Sequence, residues 1–166
     1  MKKRKSWREK LENDKDLPRI VTLKENLGRR WGRGTCVIPA PREVDELMCR
    51  VPRGKLATIN HIRTALARRH GATIGCPITT GIFARIAAEV AAEDEAAGKK
   101  RITPWRTLKA GGELNPKYPG GCEGLRARLE KEGHKITQKG KKFLVEEYEK
   151  RLAPIAGGGN RRDEGK

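Results

Sequence analysis

Large aromatic side chains are scarce in this sequence. Tryptophan, tyrosine and phenylalanine make up 4% of its 166 residues, and hydrophobic residues of all kinds make up 36%. The hydrophobic core is therefore expected to be modest, and the length allows one domain of ordinary size with tails. Apolar residues still recur at regular spacings in the middle of the chain, which argues against the intrinsically disordered class.

Long apolar runs are also missing. No run approaches the roughly 20 residues that a membrane-spanning helix needs, and the basic start is not followed by the apolar segment of a secretory signal. We therefore expect a cytoplasmic protein.

Cysteine pairs of the CxxC type are absent as well. The four cysteines stand at positions 36, 49, 76 and 122, at spacings that match no zinc ribbon or zinc finger. In a cytosolic chain such residues are expected to be reduced thiols, mostly buried as small hydrophobic side chains. We accordingly predict no metal site and no cofactor.

Acidic residues are outnumbered by basic ones. Asp and Glu total 21 against 38 Lys and Arg, which gives a net charge of +17 and a pI near 10.2. So large a positive charge indicates a polyanionic partner, with nucleic acid as the first candidate and an anionic membrane surface as the second. The membrane alternative lacks support, because no predicted helix pairs a broad apolar face with a lysine-rich one. A basic cytosolic protein without a specific partner is the third alternative.

Residues 1–40 are predicted to form a basic N-terminal extension. "MKKRKSWREK" carries six basic residues and one acid, and it is typical of a mobile arm or of a loosely docked helix anchored by Trp7. Further along, "GRRWGRG" (28–34) combines arginines, which grip phosphates, with an aromatic ring that can stack on a base. Alternatively, this tryptophan packs back onto the domain. The loop residues assigned to DNA binding are Arg29, Arg30, Trp31 and Arg33.

Apolar spacing predicts further elements beyond the extension. A short strand in "TCVIPAP" precedes a helix that begins at Pro41, and the next helix runs from the N-cap Thr58 to Gly71. A last core helix ends at Gly133, and "HKITQKGKKFLVEEYEKRL" is read as a hairpin that runs into a helix before a flexible tail over 153–166. The apolar residues that mark the three helices are Val44, Leu47, Met48, Ile59, Ile62, Leu66, Leu125 and Leu129.

The longest helix is predicted in "TTGIFARIAAEVAAEDEAAGKK", with Thr80 as its N-cap. One stripe is assigned to the core, and a second stripe contains only small residues, which let a helix backbone approach a partner closely. Either the first two turns of this helix enter a DNA groove, where its start offers unpaired N–H groups to an anion, or its alanines pack against a neighbouring helix. The core stripe is Ile82, Phe83, Ile86 and Val90, and the small stripe is Thr80, Ala84, Ala88 and Ala91. The first alternative makes Thr79, Thr80, Gly81, Ala84 and Arg85 the DNA-binding residues.

Two segments resemble a known family. "VPRGKLATINHIRTALA" is similar to the start of the DNA-binding domain of the alkylguanine-DNA alkyltransferases, and "TPWRTLKAGGEL…YPGGCEGLRARLEKEG" is similar to their active-site loop, glycine-rich loop and closing helix. The resemblance extends over residues 44–134. It implies a mainly α fold, a winged helix-turn-helix domain of the alkyltransferase type over 41–152 with a small β element.

The active-site motif of that family is altered here. The alkyltransferases carry Pro-Cys-His-Arg, where the cysteine takes the alkyl group and the histidine helps to deprotonate it, whereas this chain has Pro104-Trp105-Arg106-Thr107. An indole is not a thiolate nucleophile, and a guanidinium that stays protonated is not a base. Tryptophan at this position is similar to the alkyltransferase-like branch, which binds alkylated DNA without repairing it, flips the damaged base and flags it for excision repair. The resemblance thus implies a non-enzymatic protein that recognises O6-alkylguanine-type lesions.

That branch also implies a nucleobase pocket and a set of partners. Glu132 stands where the family has a residue that orients the histidine, and we expect it to pair with Arg106. The implied partners are double-stranded DNA and nucleotide excision repair proteins, with a monomer at the nucleoid and no membrane. The implied pocket residues are Pro104, Trp105, Arg106, Tyr118, Gly120 and Gly121.

Two other departures keep alternatives open. Gly81 stands where the family has an arginine finger that fills the space of the flipped base, and Ile59 stands where it has a tyrosine that crowds the target phosphate. Flipping a base costs a few kcal/mol of unstacking, which these groups offset. The second hypothesis is therefore a general DNA or RNA binder without lesion recognition. The third is an enzyme whose nucleophile has moved to Cys122, at a helix start where a thiolate would be stabilised.

Overall fold

The computed structural model describes residues 2–24, 32–99 and 104–155. Helices make up most of its regular structure, accompanied by three small sheets. The helices are α1 (Trp7–Glu12), α2 (Pro41–Cys49), α3 (Ile59–His70), α4 (Pro77–Ala96) and α5 (Gly121–Lys131). The strands are β1 (Arg19–Thr22), β2 (Thr35–Ile38), β3 (Ala57–Thr58), β4 (Ile74–Gly75), β5 (Thr107–Leu108), β6 (Ile136–Lys139) and β7 (Lys142–Val145). Short 3₁₀ turns cover Pro104–Arg106, Ala110–Gly112 and Tyr148–Arg151.

Local sequence signals set the ends of α2 and α3. Pro41 occupies the first turn of α2, where its missing N–H costs nothing. The Thr58 hydroxyl accepts a hydrogen bond from the backbone N–H of His61 at the start of α3, and Gly71 ends that helix in the left-handed conformation at φ 64°. The predicted starts of both helices and the predicted end of α3 are therefore confirmed.

The start predicted for α4 is wrong. This helix begins at Pro77 and not after Thr80, because a proline in the first turn supplies the helical φ without needing a hydrogen bond. The backbone N–H of Thr80 already donates to the carbonyl of Cys76 at 3.2 Å, so Thr80 closes the first turn. Its side chain is fully buried and caps nothing.

The core lies between α2, α3, α4 and α5. The inward faces of α2 and α3 contribute Leu47 and Leu66, α5 contributes Leu129, and α4 contributes mainly alanines. Small side chains on α4 bring its backbone close to α2, the helix with which it has its most extensive contact. No helix within the described ranges is long and apolar enough to cross a membrane.

Residues 1–40 include a docked helix and two strands. α1 packs Trp7 and Leu11 against Ile86 and Val90 of α4, and Arg8 forms an ion pair with the buried Asp94. Of the two forms predicted for the start of the chain, the structure has the docked helix with Trp7 as its anchor. The predicted domain boundary at residue 40 stays a prediction.

The first sheet joins this N-terminal part to the start of α4. β2 pairs antiparallel with β1 and parallel with β4, and β4 directly precedes α4. Arg33 is described and exposed, whereas Arg29, Arg30 and Trp31 of the predicted glycine-arginine loop lie outside the described residues.

The predicted C-terminal hairpin is confirmed. β6 and β7 pair antiparallel, with Ile136 opposite Val145. The backbone N–H of Leu114 donates to the carbonyl of Phe143 at 2.8 Å, which ties the hairpin to the segment that precedes α5. The chain then continues into a 3₁₀ turn and not into the helix that was predicted there.

Candidate nucleic-acid interface

The small-residue stripe of α4 faces the protein interior. Thr80, Ala84, Ala88 and Ala91 are all buried, and the three alanines belong to the main core. The prediction that Thr80 and Ala84 contact DNA is therefore wrong. The physical reason is that the small side chains are used to bring α4 close to the neighbouring helices of the domain.

The accessible side of α4 presents two isoleucines instead. Ile78 and Ile82 are 57% and 52% exposed, so the prediction that Ile82 belongs to the core is wrong, although Ile86 and Val90 of the same predicted stripe are buried. Gly81 and Arg85 lie beside them and line the same groove. We call Ile78, Gly81, Ile82 and Arg85 the isoleucine edge. Thr79, also predicted to bind DNA, is half-buried next to this edge.

Trp105 forms part of a second surface, at the far end of α4. Its half-buried ring lines a cleft of about 370 Å³ between the last turns of α4 and the first two turns of α5. The 3₁₀ turn of Pro104–Arg106 positions the ring, and Pro104 is itself buried. We call this space the tryptophan cleft; besides Trp105 its walls include Ala92, Pro104, Gly120, Gly124 and Arg128.

Arg128 covers the Trp105 ring at the mouth of the cleft. Its guanidinium carbon lies 4.5 Å from the ring centroid, within the range of a cation–π contact. Its Nη2 donates to Oε1 of Glu95 at 2.5 Å, and this hydrogen bond lowers the pKa of that exposed carboxyl. The indole N–H is buried and has no hydrogen-bond partner in the described part of the chain, so packing and Arg128 hold the ring in place.

The expected pair between Arg106 and Glu132 is present. Arg106 Nε donates to both carboxylate oxygens of Glu132, at 2.9 and 3.1 Å, and Nη2 also donates to Oε1. Nη1 donates to the carbonyl of Val51 at 3.0 Å. The two side chains are only 12% and 7% exposed, so this is a buried, multidentate ion pair. It fixes the position of the 3₁₀ turn that carries Trp105, and it offers no general base.

Two residues predicted for the pocket are placed elsewhere. Tyr118 is buried in the core, where desolvation raises the pKa of its phenol, and its ring does not line the cleft. The reason is a tight turn in which the Tyr118 N–H donates to the carbonyl of Asn115, so that the ring points inward. Gly120 lines the cleft at φ 88°, whereas Gly121 begins α5 and does not. Both glycines adopt the left-handed backbone in the next turn, where the Gly121 N–H donates to the carbonyl of Tyr118.

Cys122 does not have the environment of a reactive thiol. It is half-buried in the first turn of α5, and burial together with the carboxylates of Glu113 and Glu123 raises its pKa. The expectation that the helix start stabilises its thiolate is therefore wrong, because desolvation and the nearby acids prevail over the helix dipole. Within the residues described, no group of three His, Cys, Asp or Glu side chains is arranged to hold a metal ion.

Sequence reasoning missed Arg128 and Ile78. A signal for Arg128 exists: Gly120, Gly124 and Arg128 recur at intervals of four, which places Gly124 and Arg128 on one face of α5 and Gly120 at its N-cap. Ile78 precedes the start predicted for α4, so it was not assigned to any face of that helix.

Comparison with known proteins finds two similar solved structures. No family model matches the chain, and no curated protein matches it. The two structures are those of S. pombe Atl1 in complex with damaged DNA containing O6-carboxymethylguanine and of S. pombe ATL in complex with DNA, with TM-scores of 0.48 and 0.47. Each is 19% identical to this chain over 69% of it and 94% of the matched chain.

Proposed function

We propose that this protein binds double-stranded DNA and recognises a guanine with an O6-alkyl group in the tryptophan cleft, without removing the alkyl group. The observation that carries the proposal is Trp105 itself, which stands at the position of the nucleophile in the resembling family and forms a wall of an open cleft. A volume of about 370 Å³ lies within the range of small-ligand sites. An aromatic wall suits a flat, uncharged nucleobase, because stacking does not require a charged partner.

The side chains at the cleft support recognition without alkyl transfer. Trp105 has no nucleophilic atom, and Arg106 is committed to Glu132. The raised pKa of Cys122 disfavours the thiolate that a relocated nucleophile would need. Each of the three functions required for suicidal alkyl transfer, a nucleophile, a base and an orienting residue, is thus missing or otherwise engaged at these positions.

The architecture around the cleft supports a groove-binding role. We assign α3 and α4 as the two helices of a helix-turn-helix and the β6–β7 hairpin as its wing, with the accessible side of α4 towards DNA. The net charge of +17 supplies the electrostatic part of duplex binding. We further propose that the protein acts as a monomer at the nucleoid and that nucleotide excision repair proteins recognise its complex with damaged DNA.

One observation favours a second function, general nucleic-acid binding without lesion recognition. Gly81 offers no side chain to fill the space that a flipped base leaves, and Ile59 offers no phenol to crowd the phosphate. A protein that does not extrude a base gains nothing from the tryptophan cleft and binds through phosphates alone.

A titration of labelled duplexes separates the two functions. Two duplexes that differ only in guanine or O6-methylguanine at one position are titrated with protein at fixed salt, and anisotropy gives each Kd. Lesion recognition predicts tighter binding of the O6-methylguanine duplex, and equal Kd values would support the general binder. Transfer of a radiolabelled methyl group to the protein would contradict both and indicate an enzyme.

A further inference from the structure

The helix α1 lies outside the part of the chain that resembles a known family. It spans Trp7–Glu12, whereas the resemblance extends over residues 44–134. A helix of six residues does not persist in water by itself, so contacts with the rest of the protein must hold it. Its start is also fixed locally, because the backbone N–H of Glu9 donates to the Ser6 hydroxyl and the Ser6 N–H donates to the Glu9 carboxylate.

Buried contacts hold α1 against α4. Trp7 and Leu11 pack on apolar residues of α4, and Arg8 forms an ion pair with the buried Asp94 of the same helix. Two apolar anchors and one ion pair fix both the position and the rotation of this short helix. The side of α1 that faces away from α4 is therefore presented to solvent in one orientation.

That solvent side and the segment before it carry positive charge. Residues 2–5 are all basic and all exposed. Lys10 of α1 lines a groove of about 590 Å³ that runs along the isoleucine edge, and Arg85, Lys109 and Lys117 line the same groove. None of the described residues that line it is acidic. We call Lys10 and residues 2–5 the α1 patch. A continuous surface of one sign attracts a polyanion.

The acids near the α1 patch do not neutralise it. Glu9 is held in the helix cap, and the hydrogen bonds from Ser6 lower the pKa of its carboxyl. Lys10 Nζ lies 4.3 Å from the centroid of the Trp7 ring, a contact that leaves its charge in place. In the described parts of the chain, neither Lys5 nor Lys10 has a carboxylate within the 4.0 Å of an ion pair. Both cations are therefore available to an external anion.

We propose that the α1 patch binds the sugar-phosphate backbone of duplex DNA, with Lys5 and Lys10 each contacting a phosphate, and so adds a contact that does not depend on a lesion. The patch borders the accessible side of α4, which the proposed function places towards DNA. A lipid surface fits less well, because the Trp7 ring is half-buried against α4 and cannot insert into a membrane interface. The inference rests on the proposed binding of duplex DNA but not on lesion recognition.

The double variant Lys5→Gln/Lys10→Gln tests the contact. Its matched control is Arg42→Gln/Arg68→Gln, which removes two exposed cations of α2 and α3 that do not line the groove. Kd for an unmodified duplex is measured over a range of salt concentrations. The slope of log Kd against log salt should fall by about 0.9 for each lost phosphate, about 1.8 in all, and binding at 0.1 M salt should weaken roughly 10- to 60-fold. The control should keep most of the native slope.

Ethylation of individual phosphates in the same duplex locates the contact. Ethyl groups that interfere with binding of the native protein should interfere equally with the control variant. With Lys5→Gln/Lys10→Gln, interference should disappear at a few neighbouring phosphates and persist at the others, because only the contacts of the α1 patch are lost.

Two results would overturn the inference. In the first, the two double variants lose slope and affinity equally, which would show that the cations act only through net charge. In the second, Lys5→Gln/Lys10→Gln binds the duplex as the native protein does, with the same interfering phosphates, which would leave the α1 patch to another anion such as an acidic protein. Lesion recognition is tested separately: a loss of slope specific to Lys5 and Lys10, combined with equal Kd values for guanine and O6-methylguanine duplexes, supports the inference and contradicts only the proposed lesion recognition.

Discussion

The two ends of α4 carry surfaces of different chemistry. Its first turns form the isoleucine edge, where apolar tips stand among cations, and its last turns form a wall of the tryptophan cleft, where Glu95 reaches across to Arg128. Phosphates are attracted to the first surface, whereas the lining of the second holds one carboxylate, Glu95, paired with one cation, Arg128. The proposed function therefore assigns the DNA backbone to the start of this helix and an uncharged base to the cleft at its other end.

The largest effect is expected for the ion pair beneath the cleft. Glu132→Ala leaves Arg106 buried without its partner, and breaking a buried pair in this way costs about 3–5 kcal/mol of unfolding free energy. Urea denaturation measures the loss. The matched control is Glu130→Ala, which removes an exposed carboxylate from its pair with Arg126 and should cost less than about 1 kcal/mol. Equal losses in the two variants would show that the Arg106 pair does not support the cleft.

The second largest loss of stability is expected on the buried side of α4, which distinguishes that side from the exposed edge. Ala84→Leu adds volume at a fully buried core position, which typically costs about 1–3 kcal/mol through overpacking. The expected result is a lower Tm, with DNA affinity at low temperature reduced only in proportion to unfolding. Ala97→Leu, at the exposed end of the helix, serves as the control. A native Tm combined with abolished DNA binding would place Ala84 against DNA and contradict the packing described above.

The smallest change in stability is expected for substitutions of Gly81, on the isoleucine edge. Gly81→Arg places a side chain where nothing lies within 4 Å, and replacing glycine inside a helix stabilises the fold by roughly 0.5–1 kcal/mol. The added cation should tighten binding to both duplexes and steepen the dependence of log Kd on log salt, by about one phosphate contact. Gly81→Ala separates the helix effect from the charge, because it should raise Tm without changing the slope. If the slope of log Kd against log salt is the same for Gly81→Arg as for the native protein, the isoleucine edge does not contact phosphates.

Local signals made much of the fold predictable from sequence. Pro41, Thr58 and Gly71 act through the backbone of their own turn, so the ends of α2 and α3 follow from a few adjacent residues. The start of α4 was mispredicted because two signals, Pro77 and Thr80, compete within one turn, and only the position of the preceding β4 decides between them.

The surfaces were less predictable because they depend on tertiary packing. The apolar and the small-residue stripes of α4 both have helical spacing, and which of them faces inward is decided by how closely α2 approaches. Tyr118 is turned into the core by the tight turn that its N–H closes with Asn115, and Arg128 reaches Trp105 from a separate helix. The Arg106–Glu132 pair was predictable only through the family resemblance, since the two residues lie far apart in sequence.

The measurement that tests the central claim most directly is the lesion preference of Trp105→Ala. The Kd values of the native protein and this variant are measured for the guanine and O6-methylguanine duplexes at one salt concentration, after circular dichroism has confirmed that the variant is folded. Loss of base stacking worth about 1–3 kcal/mol predicts that affinity for the O6-methylguanine duplex falls roughly ten- to a hundredfold, while affinity for the guanine duplex stays within about twofold. A folded variant that binds both duplexes as the native protein does, or that loses affinity for both equally, would contradict a nucleobase site at Trp105.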